Sequence, residues 1–150
     1  MPLILAGTKS SHAIAACLLF RDYELHLQIE FAPVDNYKRA QVLQWMFFEQ
    51  YSHEPYLAVA RFICRFLPAD HKRREELPRL LERGYQALDV MEKHLSANNY
   101  FVDNAYSIAD IALFAYTQPA AEAGFDLSRY SAINEWMQRV ETQERFVAMQ

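Results

Sequence analysis

The chain of 150 residues is poor in glycine, with three, and in cysteine, with two. So few glycines exclude a Gly-rich phosphate loop and a repeated set of tight β-turns. Cys17 and Cys64 form no CxxC pair, which argues against a disulfide framework or zinc site and makes a reducing cytoplasm the expected location. No apolar run approaches the ~18–20 residues that cross a bilayer, so no membrane partner is expected. The opening Met1–Leu5 has no basic flank, and the apolar Ala13–Phe20 is too short for a signal peptide. A net charge of −4 repels a phosphate backbone, so nucleic acid is not an expected partner. What the chain does have is apolar mass. It is 52 % hydrophobic and 14 % aromatic, with ten Phe and nine Tyr, enough to bury the core of one compact domain.

The first 34 residues differ from the rest. Leu3-Ile4-Leu5 is a short apolar run closed by a turn at Ala6-Gly7-Thr8, and Ser10 or Ser11 can cap a helix through Phe20. Tyr23, Leu25, Leu27, Ile29 and Phe31 then alternate with polar residues, the period of a half-buried strand. The segment reads as a small βαβ unit.

From Asp35 onward the pattern is helical. Asp35 or Asn36 can cap a helix through Tyr51, and Pro55 predicts a kink or break near His53–Pro55 because it has no N–H to donate. A helix resumes over Tyr56–Leu67. Beyond Pro68-Ala69-Asp70 another runs to about Ser96, with Pro78 expected to bend its start and Gly84 on its apolar seam. Tyr106-Ser107-Ile108-Ala109-Asp110-Ile111 carries an Asp form of the capping box, with Ser107 and Asp110 as reciprocal partners. The helix after it is apolar all round and is expected to be central, disturbed by Pro119 and closed by Gly124. A last helix starts at Ser131.

Candidate chemistry is sparse. Ser52-His53-Glu54-Pro55 lacks the second His of a metalloprotease motif and has Pro where the helix must continue, so no metal is expected and the stretch reads as a polar face around a kink. Arg73-Arg74-Glu75-Glu76 reads as a solvated helix face. Ser10 and Ser11 stand at a helix N-terminus, where free amides favour an anion and a hydroxyl can bond a thiolate or carboxylate, or serve as a plain cap. Trp45, Phe48, Tyr51, Tyr56 and Tyr116 line either an apolar ligand groove or the core.

Three segments carry a family resemblance: residues 37–46, 106–117, and Gly124-Phe125-Asp126-Leu127. Through them residues 35–150 resemble the all-helical C-terminal domain of bacterial glutathione S-transferases. The resemblance implies a mainly α fold, a preceding thioredoxin-like domain, a dimer, glutathione as cosubstrate with no other cofactor, and a hydrophobic electrophile held between the domains. Residues 1–34 then resemble only part of a thioredoxin-like domain, in one of two registers. In the first, favoured by the alternating segment, they form the opening strand–helix–strand, and Ser11 (or Ser10) matches the hydroxyl that activates the glutathione thiol. In the second, Met1–Leu5 matches the cis-proline strand, and Ser10-Ser11-His12-Ala13-Ile14 matches the signature that holds the γ-glutamyl group. Either register leaves half of the glutathione contacts unsupplied. The expected function is thus that of a glutathione S-transferase-like protein, weak or inactive as an isolated chain. The alternative is a non-catalytic helical binding or assembly module.

Overall fold

The computed structural model describes residues 33–144 and 146–148. The βαβ unit expected within residues 1–34, with Ser10, Ser11 and Cys17, lies almost wholly outside them.

Asp35 caps α1 (Asn36–Phe48), its carboxylate accepting from the Lys38 amide at 2.9 Å. The break expected near Pro55 is a widened π-helical turn, Glu49–His53, running straight into α2 (Glu54–Phe66) with Pro55 in its first turn. Pro55 cannot donate to the carbonyl four residues back, and the Glu54 amide bonds the Glu49 carbonyl five back instead. α2 buries Leu57, Ala60 and Ile63.

Arg74 closes the end of α2. Its guanidinium donates to the carbonyls of Pro68 (2.8 Å), Leu67 (2.9 Å) and Cys64 (3.3 Å), satisfying acceptors that a helix C-terminus leaves open. The expected solvated face at 73–76 is therefore a 3-10 turn, Lys72–Glu76, with Arg74 turned back onto α2 and Arg73 paired to Glu76. α3 (Leu77–Leu95) follows, burying Leu80, Gly84, Ala87, Leu88, Met91 and Leu95. Pro78, expected to bend its start, breaks no helical bond there. The α-helix proper starts at Leu77, so Pro78 occupies the first turn, where no N–H is needed.

α4 (Ile108–Thr117) buries seven of its ten residues and touches α1, α2, the π-turn and α5 (Ser131–Glu141). It is the central helix. Beyond Pro119 the chain makes a short 3-10 turn, Ala120–Ala123, against α2, and stops at Gly124, whose φ of 89° suits a residue without a Cβ. α5 packs Ala132, Ile133, Trp136 and Val140 inward. Its cap comes from α3: Glu92 accepts from the amides of Ala132 (3.0 Å) and Ile133 (2.9 Å).

Candidate functional site

The capping box forms as the spacing requires. One Asp110 oxygen accepts from the Ser107 amide and hydroxyl, both at 2.9 Å. The other accepts from the Phe101 amide (3.2 Å) and from Trp136 Nε1 (3.0 Å). The carboxyl thus ties the start of α4 to the preceding loop and to α5. Burial pushes its pKa above the usual carboxylate value, against the pull of these hydrogen bonds. All four donors are structural, and none leaves an oxygen directed at solvent chemistry. The bond to Trp136, 26 residues away, is invisible to a local motif.

The five aromatic candidates do not converge. Trp45 and Phe48 meet edge to face at 5.3 Å, and Trp45 also packs on His94 (4.7 Å) and Phe101 (4.6 Å). Tyr56 is half-buried against the core, and Tyr116 is in it. Tyr51, on the π-turn, is 77 % exposed. Tyr37, Leu43 and Phe47 on α1 and Phe62 and Phe66 on α2 are exposed as well.

The polar face expected around Ser52-His53 does not include His53, although Ser52 and Glu54 are half-buried. His53 is fully buried, with Nε2 2.9 Å from the Thr117 hydroxyl. That hydroxyl donates to the Leu113 carbonyl at 2.8 Å, so it accepts from His53 and fixes the Nε2–H tautomer. Nδ1 is buried and has no partner among the described residues. Burial holds the imidazole at a pKa of about 3, and it is neutral. Glu49, one turn earlier, is also buried, and desolvation raises its carboxyl to about 7. Sequence reasoning missed both because the widened turn rotates them inward.

A surface cavity of about 270 Å³ lies where the chain enters α1, lined by Pro33, Val34, Lys38, Asp103, Tyr106 and Ser107 among others. Lys38 pairs with Asp103 across it. Asp103 and Asn104 both have positive φ, the backbone of a tight turn that Asp and Asn tolerate best among side-chain-bearing residues. None of the five aromatic candidates lines this cavity. Among the described residues no group of three or more His, Cys, Asp and Glu could hold a metal ion, and no helix is long and apolar enough to cross a membrane.

Residues 23–144 match the family model of the glutathione S-transferase C-terminal domain. The chain belongs to this family. It is similar to a glutathione S-transferase of Pseudomonas fluorescens Pf-5, with 53 % identity, a TM-score of 0.77, and coverage of 94 % of this chain and 67 % of that one. It is also 27 % identical over 115 residues to the disulfide-bond oxidoreductase YfcG of Escherichia coli K12, covering 73 % of this chain and 50 % of that protein. A glutathione transferase of Pseudomonas putida, solved with one glutathione disulfide bound per subunit, shares the fold at 22 % identity and a TM-score of 0.67, over 77 % of this chain and 52 % of that one. The chain spans about half the length of the curated relatives it matches. Helices carry this domain, with the capping box at the head of its buried central helix.

Proposed function

We propose that this chain is a glutathione S-transferase-like protein that binds glutathione weakly and, as an isolated 150-residue chain, conjugates it to soft electrophiles slowly or not at all. The observation that carries this is the span of the family match. It begins at Tyr23 and so takes in the alternating segment, which favours the second register for the residues before it. In that register Ser11, with Ser10 beside it, holds the γ-glutamyl end of glutathione rather than its thiol. A thiol-activating hydroxyl is then not supplied by these 150 residues. Each missing charge-assisted hydrogen bond weakens binding by about 1.5–3 kcal/mol, enough in sum to take a micromolar site to millimolar. Of the five aromatic candidates, Trp45 and Phe48, which meet on α1, would be the ones to touch the electrophile, because Tyr51 faces outward and Tyr116 lies in the core. Cytoplasmic location accompanies this reading.

The exposed Tyr37, Leu43, Phe47, Tyr51, Phe62 and Phe66 favour a second reading, an assembly module that pairs with another copy of itself and so covers large apolar side chains left in solvent. One experiment separates the two. Glutathione titration and an aryl-halide conjugation assay are run on wild type and on Ser10→Ala/Ser11→Ala, with mass by light scattering. Weak binding lost in the double variant supports the first reading. Robust turnover abolished by the same change refutes it, because the serine would then activate the thiol. Absence of binding together with a dimer mass supports the assembly module.

A further inference from the structure

The π-turn buries a carboxyl that neither the capping network nor the aromatic contacts use. Glu49 is 4 % exposed, and it accepts one side-chain hydrogen bond, from Gln50 Nε2 at 3.2 Å. Among the described residues no cation faces it. On α1, Lys38 is paired with Asp103, and Arg39 lies ten residues back, about 15 Å along a helix. On α2, Glu54 adds negative charge, while Arg61 and Arg65 both reach Glu122. On α3, Arg79, Glu82, Arg83 and Lys93 are exposed, Asp89 accepts from Tyr130, Glu92 caps α5, and His94 lies between Trp45 and Phe101. The one charged residue of α4, Asp110, is enclosed by its own four donors. His53, in the same turn, is neutral and bonded to Thr117.

Among the described residues an ionised Glu49 therefore has no compensating charge while the turn stays closed, and Glu54 opposes it. The turn is also the irregular joint between two regular helices, held by bonds that span five residues. We propose that the Glu49–His53 turn is a proton-dependent latch, closed while the Glu49 carboxyl keeps its proton and opened when that proton passes to solvent. The latch controls the placement of two exposed rings, because Tyr51 sits on the turn and Phe47 just before it. Desolvation, placing the carboxyl at about 7, sets the change at neutral pH.

The test uses the full 150-residue chain. The Glu49 side-chain carboxyl is titrated by ¹³C NMR from pH 4 to 9, and amide exchange of residues 49–54 is followed in parallel. The expected result is a midpoint near 7. Between about 4.5 and that midpoint the opening equilibrium rises up to tenfold per pH unit, beyond the intrinsic base-catalysed increase, and above it levels off. Glu49→Gln removes this excess, and Glu54→Gln moves the midpoint down. A Glu49 midpoint at or below 5 in the wild type overturns the latch, and that titration decides the matter even if Glu49→Gln fails to fold. The same excess exchange in a folded Glu49→Gln protein also overturns it.

Discussion

Gly84→Ala sets two known effects against each other on α3. In an open helix the change gains about 1 kcal/mol of helix propensity. Here the added Cβ would stand 2.4 and 2.5 Å from two ring carbons of Phe125 and 3.1 Å from Leu57 Cδ1. Carbon atoms settle at ~3.5–4.0 Å, so the ring must retreat by about 1 Å. It has little room to do so. Phe125 is buried, its ring stands edge-on to Tyr85 at 5.1 Å, and the next residue is fixed by the Asp126 amide donating to the Tyr85 hydroxyl at 2.9 Å. Tyr85 is held in turn by Arg129, which lies 4.8 Å from both the Tyr85 and Tyr130 rings. Overpacking a core costs ~1–3 kcal/mol, and contacts this short belong to the upper part of that range, about 2–3 kcal/mol, so after the helix gain the net expectation is a loss of about 1–2 kcal/mol. For a chain of this size that lowers Tm by roughly 2–8 °C. Urea unfolding of Gly84→Ala, Phe125→Leu and the double variant measures it, with a favourable coupling of about 1 kcal/mol when the smaller side chain makes room. A Gly84→Ala protein as stable as wild type, or strict additivity in the cycle, refutes the close contact.

Two further outcomes are expected. Asp110→Ala strips the acceptor from the buried Trp136 Nε1 and the Phe101 and Ser107 amides, at a cost of about 3–5 kcal/mol in urea unfolding. Glutathione affinity of the protein that remains folded stays unchanged, and lost binding at equal stability would contradict a structural role. The second concerns pH. The lowered His53 pKa gives stability that is full above about 6.5 and lost as pH falls towards 3, whereas the raised Glu49 pKa gives stability that is full below about 4.5 and lost as pH rises through 7. The two slopes cancel between 4.5 and 6.5. Relative to wild type, Glu49→Gln should therefore gain up to about 2 kcal/mol across that interval, read from urea midpoints, and parallel profiles would count against burial of the carboxyl.

Local chemistry was legible in the sequence and long-range geometry was not. The capping box at Ser107 and Asp110, the cap at Asp35 and the all-apolar central helix depend on residues within a turn of one another, so spacing alone reveals them. Pro55 announced a disturbance, yet its form, a widened turn that carries Glu49 and His53 inside, depends on which carbonyl the next amide finds. Polar letters at 52–54 suggested a solvated face for the same reason. Arg74 looked like surface charge because its acceptors are backbone carbonyls, which no sequence pattern displays. The aromatic candidates share a helical period, but a period fixes only direction around an axis. It does not say which rings meet solvent, and Tyr51 and Tyr116 ended on opposite sides of the core boundary.

Glu92 has a consequence for how the domain comes apart. Tyr130, in the capping position of α5, makes no side-chain cap, so the first amides of that helix depend on a carboxylate 40 and 41 residues earlier in the chain. Eleven residues are too short to persist as an isolated helix in water. The last helix therefore has no independent existence: it forms when α3 is already in place and is lost when α3 moves away. Together the two make one cooperative unit whose amides should open with a common free energy. A nascent chain released before Ser131 would leave Glu92 with an empty task and the Trp136 side of the core uncovered.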